Sequence, residues 1–174
     1  MTDSVVVLVI GLPGAGKSTL IDHAASSSEW TVVDPHRSSH RLPRALRRAP
    51  VLYPLYVLAI VVAIARHTHV AVESRGTWGW LRRLVTTCAR VRGRKAVLVM
   101  LDASPADAEA GQKGRGRRVE SARVMRWYTT RWSRLLDAAG SGALAAEGWG
   151  QVVVLDRAQA SNVDDLGELV RSAG

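Results

Sequence analysis

A chain of 174 residues is long enough to bury one sizeable core and not comfortably two, so a single domain over residues 1–174 is expected. Its 47% hydrophobic and 22% charged residues are ordinary for a globular protein, and its net charge of +9 points to an anionic partner. The one cysteine, Cys88, excludes an internal disulfide and fits a reducing cytosol, so a cytoplasmic protein is expected.

Residues 1–20 show no basic n-region and no small-residue cleavage site, so no signal peptide is expected. Residues 5–10 form a β-branched run suited to a fully buried parallel strand. Directly after it comes GLPGAGKST, residues 11–19, with the pattern Gly, four residues, Gly-Lys-Ser. Glycines 11, 14 and 16 are expected to turn through positive φ and wrap successive backbone N–H groups around an anion. Lys17 can reach β- and γ-phosphates, and the Ser18 hydroxyl can ligate Mg²⁺. A helix from Lys17 to about residue 25 would aim its N-terminal dipole at the same phosphates. Gly11, Gly14, Ala15, Gly16, Lys17, Ser18 and Thr19 are therefore the expected binding residues for a nucleoside triphosphate with Mg²⁺, here ATP.

A second short strand at residues 31–33 runs into VVDPHR. Asp34, at its end, can take a proton from an attacking hydroxyl, and Arg37 can hold a phosphate or carboxylate bidentately. A helix N-cap Asp followed by a solvated Arg is the alternative for this pair. Residues 51–65, VLYPLYVLAIVVAIA, read as a helix of about 23 Å, short of the ~30 Å needed to cross a bilayer. No transmembrane span is expected. Pro54 would shorten this helix or sit in its first turn, and the helix should be buried. Because residues 54–65 are apolar on every face, they also offer a contact for a homodimer.

The third strand, residues 69–72, leads into VESRGT, which puts Glu73, Ser74 and Arg75 at its rim. Glu73 and Arg75 are substrate-side candidates, and Glu73 is also a metal candidate beside Ser18. Asp102 ends the fourth run, VLVMLD, in the same way, so either acid fits the metal role. Adjacency to the first strand favours Glu73. Trp78 and Trp80 follow, free to stack on a base or to join the core. Leu81, Leu84, Val85 and Cys88 make one helical stripe, with Arg82, Arg83 and Arg90 off it.

GQKGRGRR, residues 111–118, reads as a mobile cationic loop. Its Lys113, Arg115, Arg117 and Arg118 can close over a nucleotide and neutralise the moving phosphoryl group, with Arg115 and Arg118 on the nucleotide and Arg115 catalytic. Val124, Tyr128, Trp132 and Leu135 stripe a helix expected over residues 120–138. A fifth strand at residues 151–155 ends at Asp156, expected to be structural or near the base. The five histidines show no metal-ligand spacing; His67 and His69 read as a helix end and a strand start. The positive charge is concentrated: residues 37–134 hold 19 Arg and 2 Lys against 5 acids. Such a block suits an anionic acceptor, although a compositional bias to Arg explains it equally well.

Strands alternating with helices predict a five-stranded parallel sheet covered on both faces. This layout, VVLVIGLPGAGKSTL, then VVDPHR, then an acid after the third strand, then an Arg-rich segment, resembles the small P-loop kinases. Within them it is most similar to the group of polynucleotide 5′-kinases and zeta toxins. The resemblance implies a single kinase domain with a lid at about 111–119 and ATP-dependent phosphotransfer to a hydroxyl. It puts Asp34 as general base toward a nucleic-acid 5′-hydroxyl, Arg37 on an acceptor phosphate and Arg115 as a lid arginine. Gly111 stands where such kinases often carry an earlier lid arginine, and Glu73-Ser74-Arg75 where they often have an Asp followed by small polar residues. The alternative acceptors are small molecules such as a nucleotide sugar, an antibiotic or a nucleoside. A nucleotide-binding switch with little turnover is the alternative of another class. No Asn-Lys-x-Asp motif occurs, which argues against a GTPase.

Overall fold

The computed structural model describes residues 4–25, 29–35, 49–114 and 120–172. Five parallel strands, β1 (Val5–Gly11), β2 (Trp30–Val33), β3 (His69–Ser74), β4 (Lys95–Asp102) and β5 (Gln151–Asp156), form one sheet in the order β2-β3-β1-β4-β5. β1 lies in the middle, with Val9 opposite Glu73 of β3 and Gly11 opposite Leu101 of β4. Every side chain from Val6 to Ile10 is fully buried. An uninterrupted β-branched run folds this way only when both faces of the sheet are covered.

The described helices are α1 (Lys17–Ala24), α2 (Ala49–Arg66), α3 (Gly79–Val91), α4 (Pro105–Gly114), α5 (Ala122–Gly140), α6 (Arg157–Ser161) and α7 (Leu166–Ser172). β1 connects leftward to β2 and β3 connects rightward to β4, so right-handed crossovers put α1 and α3 on opposite faces. α2 packs beside α3. The apolar stripes have the expected roles: Leu81 and Val85 of α3, and Tyr128, Trp132 and Leu135 of α5, are buried. Ser121 caps α5 by accepting from the Val124 N–H. Asp156 caps α6 through a capping box with Gln159, the structural alternative expected for it. His67 follows α2 and His69 opens β3.

Several expectations are corrected. Arg82 is not off the buried stripe: it is 7% exposed, and its guanidinium grips Glu147 at 2.8 and 2.6 Å and the Gly76 carbonyl at 2.5 Å. Its long stem passes the apolar layer and brings the charge to a partner 65 residues away. The start of the cationic segment is helical, since Gly111 to Gly114 complete α4. Helix α2 begins at Ala49, so Pro54 lies inside it. Nor is α2 buried all round. Tyr56, Ile60, Ala63 and Ile64 face the core, while Val51, Leu55, Leu58 and Val62 are 37 to 57% exposed along the opposite side. Among the described residues no helix is long and apolar enough to cross a membrane.

Candidate active site

The loop between β1 and α1 sits at the carboxyl end of the central strand, where open α/β sheets bind their ligands. Gly14 and Gly16 have φ of 90° and 101°, which lets the backbone curl before α1 begins. Gly11 has no positive φ, contrary to expectation; it ends β1 in register, where a Cβ would come within 2.9 Å of the Leu101 carbonyl. Gly16, at the N-cap of α1, supplies no side-chain cap, and a helix N-terminus of this kind favours an anion. The Lys17 side chain is 6% exposed, and its ammonium donates to the carbonyls of Gly11 and Leu12 at 3.0 and 2.9 Å. Ser18 and Thr19 occupy the first turn of α1.

Two cavities open on opposite sides of β1, and the first of them is lined in part by this loop. The one on the β4–β5 side, about 340 Å³, is lined by Ala15, Gly16, Thr19, Leu101, Arg157 and Ala160. The one on the β2–β3 side, about 260 Å³, is lined chiefly by Pro35, Tyr53, Trp78, Tyr128 and Arg75. The sheet order therefore separates a hollow beside the loop from a second hollow at the ends of β2 and β3.

Two buried carboxylates stand on that second side. Asp34, just after β2, is 6% exposed, and Glu73, near the end of β3, is 8% exposed. Tyr56 of α2 lies beside both and donates its hydroxyl to the Glu73 carbonyl. Burial above all, then the Glu73 carboxylate, then Tyr53, raises the Tyr56 hydroxyl far above the ordinary phenol range; Ser74 offsets this slightly and Asp34 adds to it. Tyr56 is a neutral hydrogen-bond donor at any ordinary pH. Burial also raises the Tyr53 hydroxyl to about 12.

Asp102 does not share this environment. It is exposed and accepts from the Trp132 indole N–H at 3.0 Å. Both β3 and β4 neighbour β1, so strand adjacency alone does not separate the two acids. Burial and the Trp132 partner do distinguish them: Glu73 is buried, whereas Asp102 is exposed and engaged. Ser18 and Glu73 offer the hard oxygen donors that magnesium takes. Among the described residues no group of three or more His, Cys, Asp or Glu is placed to hold a metal ion.

Arg75 points into the second cavity, donates to the Tyr128 hydroxyl and pairs with Glu120 at 3.4 Å. Trp78 and Trp80 are 44% and 50% exposed, so they belong to the rim rather than the core. Arg37, Arg115, Arg117 and Arg118 lie outside the described residues, as does most of the expected lid at 111–119. Lys113 is exposed and pairs with Glu109 at 2.8 Å.

Sequence reasoning missed Tyr53, Tyr56, Arg82 and Gln112. Gln112 is 6% exposed; its amide donates to the Pro13 carbonyl at 2.9 Å while its oxygen accepts from the Glu120 N–H at 2.8 Å. A polar residue at a helical position facing no apolar stripe gives no such signal in one dimension. Tyr128 was legible only as a core residue, and its hydroxyl on Arg75 is what makes it part of the site.

No family model matches the chain, and no curated protein matches its sequence. Solved structures do match its fold. A structure of the PezAT chromosomal toxin–antitoxin system of Streptococcus pneumoniae superposes with a TM-score of 0.67 at 11% identity, over 99% of this chain and 78% of that one. A gluconokinase from Sinorhizobium meliloti gives 0.64 at 18% identity, over 99% and 95%. The tunicamycin resistance protein of Deinococcus radiodurans gives 0.58 at 16% identity, over 97% and 94%. The fold expected from the sequence, a parallel α/β sheet of the P-loop kinase type, is the fold found.

Proposed function

We propose that the protein is an ATP-dependent phosphotransferase that moves the γ-phosphoryl group to a hydroxyl of an acceptor held on the β2–β3 side of the P-loop. The observation that carries this reading is the pair of buried acids, Asp34 and Glu73, at the ends of β2 and β3, on one side of the strand that leads into the phosphate-binding loop. The fold likeness to a gluconokinase supports it.

In this mechanism the α1 N-terminus and the Lys17 ammonium hold the β- and γ-phosphates, and the base lies in the hollow lined by Leu101, Arg157 and Ala160. Asp34 accepts the proton of the attacking hydroxyl as its oxygen bonds to the γ-phosphorus and the bond to the ADP oxygen breaks. Ser18 and Glu73 would hold a Mg²⁺ ion, which neutralises phosphate charge when bound. Arg115 and Arg118 of the lid would supply further positive charge around the nucleotide.

The nucleic-acid 5′-hydroxyl, the acceptor the resemblance implied, relied on Arg37 and on the basic block. The cavity next to Pro35 encloses about 260 Å³ and carries aromatic rings beside Arg75 among its described lining residues, a size that supports a small acceptor as the alternative. The outer stripe of α2, Val51, Leu55, Leu58 and Val62, is the contact we propose for a second copy.

The test is transfer of label from γ-labelled ATP to a panel of oligonucleotides and small alcohols. Asp34→Asn should lower kcat by roughly 10²–10⁴-fold, the worth of a positioned base. Label transfer that survives Lys17→Ala unchanged would sink the reading. ATP binding with no transfer to any acceptor would favour the nucleotide switch instead.

A further inference from the structure

Helix α5 has two unlike sides. Tyr128, Trp132 and Leu135 turn inward, whereas Arg123, Arg126, Trp127, Thr130, Arg131 and Arg134 are all exposed. At 3.6 residues per turn these six positions share one face, and at 1.5 Å per residue that face runs about 17 Å. Trp127 leaves 43% of its surface to solvent, which is high for a residue that is normally well buried. The ring is held all the same: the Arg131 guanidinium lies 4.1 Å from its centre, and the Tyr128 ring meets it edge-on at 4.9 Å.

The charge on this face is uncompensated. Arg75, Arg82, Lys113 and Arg157 are matched by Glu120, Glu147, Glu109 and Asp107, but the four arginines of the α5 face form no ion pair among the described residues. Arg126 borders the groove between α4 and α5, whose acids Glu109 and Glu120 are the ones Lys113 and Arg75 already hold. Asp137 is the one acid of α5 and comes after the last of the four. Outside the described residues the sequence holds eight arginines and a single acid, Asp3, so it brings almost no counter-charge. Four guanidinium groups along about 17 Å of one helix repel one another, and a polyanion relieves that repulsion. An exposed ring set among them adds a platform for an unstacked base, the combination by which single strands are bound.

We infer that the outer face of α5 docks a single strand of nucleic acid, its phosphates on Arg123, Arg126 and Arg134 and one base stacked on Trp127 beside Arg131. This goes beyond the phosphotransferase reading and does not rest on it, because the cavity assigned to the acceptor is lined by Tyr128 and not by Trp127.

Fluorescence anisotropy of a labelled twelve-residue oligothymidylate, titrated with the full chain, tests the inference. It is measured first without nucleotide and again with saturating ADP and magnesium. Affinity should fall with salt at a slope of roughly 0.7 log units per phosphate neutralised, so about 2–3 for three or four arginines. Arg126→Gln combined with Arg134→Gln should lower that slope by about 1.4. Trp127→Ala should weaken binding roughly five- to a hundredfold, the worth of one stacked base, and Trp127→Phe should recover most of it. The control for general positive charge is Arg83→Gln with Arg90→Gln, an exposed pair on α3, which should leave affinity and slope near those of the wild type. All of these positions are exposed, and melting temperatures show whether each variant is folded. The inference is overturned if the α3 pair matters as much as the α5 pair, or if Trp127→Ala binds like the wild type. It is equally overturned if polyglutamate or a duplex of the same length competes as well as the unlabelled strand. Displacement of the strand by ADP would overturn it too, by placing the strand in the active site. Label transfer from ATP is read separately: its failure would leave the docking face standing, and a failure of docking would leave the transfer reading untouched.

Discussion

Gly111 of α4 lies against the carbonyl of Gly14 in the P-loop so closely that a Cβ at position 111 would overlap the oxygen. A Cβ on Gly14 would in turn overlap the Ala108 carbonyl of the same helix. Helix and loop thus meet backbone to backbone. This gives a physical reason for the absence of an arginine at 111: no side chain fits there.

Gly111→Ala sets two effects against each other. Helix propensity favours alanine by about 1 kcal/mol, whereas overpacking against a rigid backbone costs about 1–3 kcal/mol. The contact should win, because the opposing atom is a main-chain carbonyl of a loop anchored at both ends. The expected outcome is a lower melting temperature and weaker ATP binding, read by thermal denaturation and nucleotide titration. A stabilised variant with unchanged ATP affinity would show that α4 yields freely.

Gln112 joins Pro13 of the P-loop to Glu120 before α5 through one buried amide. Gln112→Ala leaves both backbone groups without that partner, at a cost of about 1–3 kcal/mol. Gln112→Glu should do no better, because an ionised carboxylate cannot donate to the Pro13 carbonyl. Chemical denaturation measures the loss, and a parallel rise in the KM for ATP would show that it reaches the loop.

Glu147 carries a pH signature. Burial alone would raise its carboxyl, but the Arg82 guanidinium, together with the Trp149 indole and Arg83, holds it below the usual range. The unfolded chain therefore takes up this proton first. The stability it contributes is complete above the unfolded value of about 4.3 and is lost as pH falls through the lowered native value. Glu147→Gln should flatten that part of the acid limb in urea midpoints measured against pH. Arg82→Leu, which leaves the carboxylate buried without its partner, should cost about 3 kcal/mol at neutral pH.

Leu58 is the most exposed residue of the outer stripe of α2, at 57%. If that stripe holds a second copy, Leu58→Arg should shift sedimentation velocity from dimer to monomer without lowering the melting temperature of the monomer. A wild-type chain that sediments as a monomer at all concentrations would remove the contact.

The sheet and the phosphate loop were legible because their signals are local. A β-branched run such as residues 5–10 declares a buried strand within itself, and Gly16-Lys17-Ser18 is contiguous. Arg82, Gln112 and Tyr53 were not legible, because each acquires its meaning from a partner far along the chain: Glu147, Pro13 and Trp78. Asp102 and Glu73 looked alike in one dimension for the same reason, and burial together with the Trp132 indole on Asp102 tells them apart. The solvent-facing side of α2 was hidden by its composition, since apolar residues on every face carry no periodicity to read.

The position of β1 between the two hollows has a consequence for how this chain can change. Nearly everything that shapes the hollow at the ends of β2 and β3 comes from the stretch between β2 and α3, while the hollow beside the loop is built from α1, the tip of β4 and α6. If the hollows take acceptor and nucleotide as proposed, substrate choice and nucleotide choice are written on separate parts of the polypeptide, with Tyr128 as the main crossing point. On that proposal, exchanging the first stretch for that of a similarly folded protein would graft one specificity onto an unaltered phosphate donor site.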